Sequence, residues 1–219
     1  MNSTLLSAPL APLLDRLFRQ ADAATSPAMA AMSEEERDRL LTSKTEYLDL
    51  YSQLKDLWLP VSRETGELLY MLARSMKAKT IVEFGTSFGV STLFLGAALR
   101  DNGGGRIITT EFEPSKVARA RQNIAEAGLS DLVEVREGDA LQTLASDLPE
   151  GIDLLVLDGA KALYEDVLAL VEDRLRPGAL VLADDVDFSP EYLKHVRSQT
   201  ASYLSTPVAE GIELSIRLG

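Results

Sequence analysis

The sequence contains no cysteine and only one histidine, His195. Without a thiol there is no cysteine nucleophile, no iron–sulfur cluster, no zinc–cysteine site and no disulfide scaffold. A single imidazole excludes multi-histidine metal sites and weakens any Ser-His-Asp arrangement. Long apolar runs are also missing. The apolar stretches are interrupted by charge well short of the ~20 residues that a spanning helix needs. The segment 5–14 is apolar in places but lacks a basic n-region, and Asp15, Arg16 and Arg19 follow at once. It reads as an amphipathic helix rather than a signal peptide, and a cytoplasmic location is expected. Positive charge is scarce: 22 basic side chains face 34 acidic ones, a formal net charge of −12. Such a surface repels phosphate backbones and anionic membranes, so neither is an expected partner.

What is present suffices for one α/β domain with a short appended segment. The 219 residues can bury a large core without covalent staples. Up to about Lys79 the rhythm is helical. Leu10, Leu13, Leu14 and Leu17 recur at helix spacing. Ser33 and Glu36 have the spacing of a capping box. Tyr47, Leu50, Tyr51, Leu54 and Trp58 could form one face of the helix it opens, or of its continuation, until Pro60 ends it. That face reads as core or dimer contact. A further helix is expected over 63–76. The alanine-rich stretch 23–32 is the best candidate for a flexible connection.

Beyond Lys79 short apolar runs alternate with helix-period segments. Strands are expected at 80–84, 106–111, 132–136, 152–157 and 179–183. Helices are expected at 91–99, 114–127, 140–148, 164–174 and 190–203. This alternation predicts a doubly wound, mostly parallel sheet covered on both faces. Segments 204–208 and 212–218 flank Ala209-Glu210-Gly211 and predict a closing antiparallel hairpin. The expected fold is thus a seven-stranded sheet with N-terminal helices. Residues 1–60 would form a helical segment that covers an acceptor site or makes a dimer contact, and 61–219 the catalytic domain. An apolar N-terminal helix on such a body suggests a homodimer.

The chemistry-bearing residues fall at strand ends. The first strand runs into Glu83-Phe84-Gly85-Thr86-Ser87-Phe88-Gly89. Its glycines allow a tight turn and close ligand approach, but the spacing is not the dinucleotide fingerprint G-x-G-x-x-G. The second strand ends at Glu111, whose carboxylate can accept hydrogen bonds from two ribose hydroxyls. Together these suit a nucleoside cofactor without a pyrophosphate. The fourth strand ends Asp158-Gly159-Ala160-Lys161, and the fifth ends Asp184-Asp185. Neighbouring strands lie ~4.8 Å apart, so three carboxylates could converge. A hard divalent cation such as Mg²⁺ would relieve their repulsion. Each feature also has a plain reading, as turn glycines, a surface glutamate or capping aspartates. His195 reads as a surface or packing residue.

From about Leu59 to Leu218 the chain resembles the cation-dependent class I S-adenosylmethionine O-methyltransferases, the catechol and caffeoyl-CoA group. The matching motifs are Glu83-x-Gly85-x-x-x-Gly89-x-Ser91, Glu111, Gly138-Asp139-Ala140, Asp158-x-x-Lys161-x-x-Tyr164, Asp184-Asp185 and Glu210-Gly211-x-Glu213. The resemblance implies cofactor contacts at Val61, Glu83, Gly85, Ser87, Ser91, Glu111, Asp139, Ala140 and Asp158. Val61, Glu83, Gly85 and Ser91 would line the methionine end, Glu111 the ribose, and Asp139 with Ala140 the adenine. It implies Asp158, Asp184 and Asp185 as ligands of Mg²⁺ or another divalent cation, and Lys161 as general base beside Asp158. The implied reaction is methyl transfer to a hydroxyl of a small catechol-like or other phenolic molecule. Amine acceptors, a nicotinamide-dependent oxidoreductase and a non-catalytic binding protein are the rival readings. Two departures from the family pattern stand out. Asp185 replaces the usual Asn, and the small Gly159 and Ala160 would leave a roomier acceptor pocket.

Overall fold

Alternating apolar residues build the sheet. In β4 (Ile152–Leu157), Leu154 and Val156 point to one face and Leu155 and Leu157 to the other. In β1 (Thr80–Phe84), Ile81 and Val82 divide the same way. Strands buried on both sides need helices on both sides. The computed structural model, which describes residues 3–198 and 202–219, shows that arrangement.

β2 (Arg106–Glu111), β3 (Val133–Glu137) and β5 (Leu175–Ala183) complete a five-stranded parallel array. β6 (Tyr203–Ala209) and β7 (Ile212–Arg217) form the expected hairpin, and β7 pairs antiparallel with β5. The strand order is β3-β2-β1-β4-β5-β7-β6. Winding reverses between β1 and β4, the place where doubly wound sheets open a ligand crevice.

One face carries α1 (Leu10–Ala23), α5 (Arg63–Ser75), α6 (Val90–Asp101) and α7 (Pro114–Glu126). The other carries α8 (Ala140–Thr143), α9 (Tyr164–Val171) and α10 (Pro190–Arg197). The stretch 24–58 forms a cap of three short helices, α2 (Pro27–Ala31), α3 (Glu34–Leu41) and α4 (Tyr47–Gln53). Its own apolar centre is small, made of Leu40, Leu50 and Leu54. Ser26, Ser33 and Ser62 cap α2, α3 and α5 by accepting from the backbone N–H of Met29, Glu36 and Thr65.

Several expectations change. The connection at 23–32 contains α2. α3 and α4 are separate helices, and Trp58 lies beyond both, stacked on Phe88 at 4.1 Å. The helix expected over 140–148 stops at Thr143, because Arg136 donates to the carbonyls of Thr143, Ser146 and Asp147 in a turned segment. α9 ends at Val171, with a 3-10 turn over Glu172–Arg174. β5 begins at Leu175, and the β4–β5 register shifts between Ile152 and Leu154, which accommodates Pro177. α10 ends at Arg197; part of the expected 190–203 helix lies outside the described residues, and Tyr203 already belongs to β6.

The apolar stripe of α1 is spent inside the chain. Leu10, Leu13, Leu14 and Leu17 are all buried in the main core with residues of α6 and α7. Thr4 ties the segment before α1 to the end of α6, donating to Asp101 through its N–H and hydroxyl. The argument for a homodimer from an unpartnered N-terminal helix therefore falls away. Leu13→Ala should destabilise the protein by about 2–4 kcal/mol in denaturant unfolding, the usual cost of a buried Leu truncation. A loss below about 0.5 kcal/mol would show that α1 does not belong to the folded body.

Candidate active site

The carboxyl ends of β1, β2, β4 and β5 surround one cavity of about 770 Å³. At its centre β1 turns sharply. Gly85 has φ +104°, and a Cβ there would collide with the Asp158 carbonyl oxygen. The N–H groups of Gly85 and Thr86 donate to the Thr110 carbonyl, binding the turn to β2. Gly89, at φ +87°, opens α6.

Glu111 ends β2 at the cavity wall. The Ser87 N–H donates to its Oε2 at 2.9 Å and the Glu113 N–H to its Oε1 at 3.0 Å. Burial pushes this carboxyl up, opposed by the Glu113 N–H and the charge of Lys116. Two hydroxyl oxygens beside it, Ser87 Oγ and Thr110 Oγ1, are buried without a hydrogen-bond partner. Both residues line the cavity. Buried polar atoms are nearly always satisfied, so these two, with the oriented carboxylate and a turn that admits no side chain, fit a polar ligand such as a nucleoside.

Glu83 behaves differently from expectation. It lies beneath the turn, fully buried, and lines no part of the cavity. Its Oε2 accepts from the hydroxyls of Thr92 at 2.5 Å and Thr109 at 2.6 Å. It therefore supports the turn from below. Val61 and Ser91 border a narrow cleft beside the turn, shared with Gly85, Ser87 and Asp158. Asp139 caps α8, its Oδ1 accepting from the Leu141 N–H, and Ala140 follows it on the cavity wall.

The opposite wall carries the acidic residues. Lys161 is buried, with Nζ 2.9 Å from Asp158 Oδ1 and 3.3 Å from Asp185 Oδ2. Burial works to lower its ammonium, but Asp158 and its neighbours lift it well above the ordinary lysine value. Asp184 is pushed up to about 6 by burial and then by the charge of Asp158. Tyr164 donates to the Asp184 carbonyl at 2.7 Å and fixes the β5 turn. Asp185 adopts a left-handed conformation, φ +51°, and its side chain is more than half exposed.

These three aspartates line one cavity but are not gathered as a ready metal cage. Among the described residues no three His, Cys, Asp or Glu side chains stand in a metal-holding arrangement. The Lys161 ammonium occupies the space between Asp158 and Asp185. The donor chemistry still suits a hard cation: three carboxylates, one ammonium and a raised Asp184 leave an excess of negative charge. Gly159 is small for a packing reason, since a Cβ there would meet the Phe84 ring at 2.5 Å.

Three cavity residues went unrecognised in the sequence. Tyr47 and Tyr51 of α4 line the wall rather than only a core or a dimer face. Tyr47 donates to Asp139 Oδ2 at 3.0 Å. Amphipathic spacing alone cannot separate a core stripe from a pocket wall. Lys116 is 4% exposed, lies over the Phe88 ring and has its ammonium lowered by burial. Nothing in its sequence context distinguishes it from a surface lysine. His195 is not among the cavity residues, and its ring nitrogens face Glu165 and Glu172.

A doubly wound sheet closed by an antiparallel pair, with an acid-ended β2 beside a glycine turn, has the architecture of the class I methyltransferases. The comparisons agree. A sequence family described as a methyltransferase domain matches residues 82–186. A catechol O-methyltransferase of Niastella koreensis is 38% identical over 129 residues, 58% of this chain and 58% of that one. Catechol O-methyltransferase B of Danio rerio is 32% identical over 189 residues, 78% of this chain and 70% of that one. The O-methyltransferase TomG from Streptomyces achromogenes, solved in complex with SAM, superposes with a TM-score of 0.64 at 28% identity. That superposition covers 86% of this chain and 100% of TomG. The match to the Niastella protein spans less than two thirds of that relative's length. The chain belongs to the class I S-adenosylmethionine O-methyltransferase family, alongside catechol O-methyltransferases. Among the described residues no helix is long and apolar enough to cross a membrane.

The raised Asp184 carboxyl has a stability consequence. A folded value near 6 against an unfolded value near 3.8 means the native state binds this proton more tightly. Stability then falls as pH rises between those values, and the penalty is fully present above about pH 6. In chelator, Asp184→Asn should stabilise the protein by about 1–3 kcal/mol at pH 7.5, after allowing for partial solvent screening. That gain should vanish below about pH 4. A pH-independent difference in denaturant unfolding would show that the Asp184 charge is not the cause.

Proposed function

We propose that the protein transfers the methyl group of S-adenosylmethionine to a hydroxyl of a small catechol-like or other phenolic molecule. The observation that carries this reading is one cavity with two different walls. Gly85 and Glu111 stand on one side, and Asp158 with Lys161 on the other, at touching strand ends.

S-adenosylmethionine, when bound, supplies an electrophilic methyl group on a positively charged sulfur. The chain's task is to hold it and to present an oxygen nucleophile in line. Glu111, with each oxygen already oriented by a backbone N–H, has lone pairs left for the ribose hydroxyls. Ser87 and Thr110 offer the unpartnered hydroxyls beside it. Val61 and Ser91 border the cleft toward the methionine end. Asp139 and Ala140 bound the adenine end.

The acceptor oxygen belongs next to Lys161. A phenol has a pKa near 10 and must lose its proton to react. Lys161, charged while Asp158 and Asp185 embrace it, is first a hydrogen-bond donor. It can take a proton only when those carboxylates are drawn to another positive charge. A divalent cation held by Asp158, Asp184 and Asp185 would supply that charge and lower the pKa of a nearby hydroxyl. The surplus of carboxylates over ammonium supports Mg²⁺ in this role. Proximity and alignment account for much of the remaining acceleration.

Labelled S-adenosylmethionine and catechol provide the direct test. Methyl transfer should require Mg²⁺, cease in excess chelator and return on adding the cation back. Full turnover in chelator would remove the cation from the mechanism. Lys161→Ala should lower kcat by roughly 10²–10⁴-fold with cofactor affinity unchanged, and an unaltered kcat would leave deprotonation to other groups.

Glu111→Gln should weaken S-adenosylmethionine binding by about 1–3 kcal/mol in calorimetry, because it removes charge-assisted bonds to the ribose. Equal affinity for wild type and variant would overturn the ribose assignment.

A further inference from the structure

Lys116 is a buried charge in the cavity wall with no role in the chemistry proposed above. It is 4% exposed, and among the described residues its ammonium makes no hydrogen bond or ion pair. A buried lysine is ordinarily paired, because an unpaired ammonium is costly to take out of water. Its close contact is the Phe88 ring, whose centroid lies 5.6 Å from Nζ. Glu111, Glu113 and Asp56 attract it from farther off, and burial lowers the ammonium by more than they raise it.

Packing fixes where the side chain goes. Lys116, Ala120 and Asn123 recur at helix spacing on the buried side of α7. That side lies against the turn after β1. Asn123 Nδ2 donates to the Phe88 carbonyl at 2.9 Å, and Ala120 stands next to Gly89. Side chains of a helix lean toward its N-terminus, and α7 begins just after the end of β2, where Glu111 stands. Lys116 therefore reaches toward the Glu111 end, and both residues line the cavity. The narrow cleft toward the methionine end is bordered by Phe88, Val61 and Ser91 but not by Lys116.

The ligand chemistry follows from what Glu111 leaves undone. A hydroxyl that gives its proton to a carboxylate keeps lone pairs on its oxygen. A carboxylate accepts only, so it cannot serve them, whereas an ammonium is all donor. A carboxylate and an ammonium on one wall thus satisfy both sides of a pair of ribose hydroxyls. The same arrangement gives Lys116 the partner that the protein withholds.

We infer that Lys116 is a cofactor-binding residue whose ammonium donates to the ribose oxygens whose protons Glu111 accepts. The site therefore selects ribose over deoxyribose by two opposite charges, not by Glu111 alone. This inference rests on the placement of the ribose at Glu111 proposed above.

The experiment measures by calorimetry the affinity of S-adenosylhomocysteine and of its 2′,3′-dideoxy counterpart for wild type and Lys116→Met. The Met side chain keeps an unbranched apolar stem and removes the charge. Lys116→Met should weaken S-adenosylhomocysteine binding by roughly 10–100-fold, the scale of a hydrogen bond to a charged group. The dideoxy ligand should bind both proteins within about threefold, less than the effect of one such bond. Ligand-free Lys116→Met should unfold at a denaturant midpoint no lower than that of wild type, since an unpaired buried charge has been replaced by apolar chain. Equal losses for the two ligands, no loss for either, or a lower midpoint in the ligand-free variant would overturn the assignment. Wild type that binds the two ligands equally would overturn the ribose placement instead, and is seen before any variant is made.

Discussion

Gly85 rests against the Asp158 carbonyl oxygen so closely that no side-chain carbon fits between them. That contact joins the ends of β1 and β4, the two central strands of the sheet. A Cβ at position 85 would have to displace backbone, and a displaced β4 end takes Asp158 and Lys161 with it. Phe84 and Gly159 repeat the constraint one residue along, with the Phe84 ring filling the space a Cβ would need. The wall that holds Glu111 and the wall that holds Lys161 are thus fixed relative to each other by backbone, not by flexible side chains. A displacement reaction between two bound molecules depends on such fixing, since misplacement by about 1 Å costs on the order of 10²-fold in rate.

Beneath that contact lies a layer of buried hydroxyls. Thr86 and Thr109 share a hydrogen bond of 2.6 Å, and Thr92 and Thr109 both donate to Glu83. Burial pushes the Glu83 carboxyl up while these hydroxyls pull it down. Through Oε2 it ties the first turn of α6 to β2, while Glu83 Oε1 is buried without a hydrogen-bond partner, so the network is not fully satisfied. The Ser91 hydroxyl also bears on the Glu83 carboxyl. Glu83 thus lies beneath the turn and outside the cavity lining.

Much of this was legible in the sequence for a physical reason. Strands buried on both faces leave continuous apolar runs, and their last residues must emerge at one edge. Gly85, Glu111, Asp158 and Asp184 could be assigned to one cavity from that alone. Segments governed by a remote side chain were not legible: Arg136 ends α8 from another strand, and the β4–β5 irregularity lets Pro177 into β5. Side-chain direction was equally hidden. Spacing brought three aspartates together but could not show Lys161 between two of them, or Asp185 turned outward by a left-handed backbone. Tyr51 was missed because a pocket wall has the same periodicity as a core, and Lys116 because its sequence context is that of a surface lysine.

The cap and the body differ in how firmly they are held. The body is tied by two extensive clusters that share the sheet. The cap's own centre is three leucines, and its polar ties are Tyr47 to Asp139 and Lys44 to Asp166 and Glu191. The Lys44 pairs are substantially exposed, and such pairs contribute little to stability. Local opening costs least where few apolar contacts must be broken. The cavity therefore opens more readily by lifting α2–α4 than by parting the strand ends. The strand ends carry Glu111, Asp158 and Lys161 on backbone that the Gly85 contact holds in place. The cap supplies Tyr51 and much of the remaining wall on a loosely tied segment.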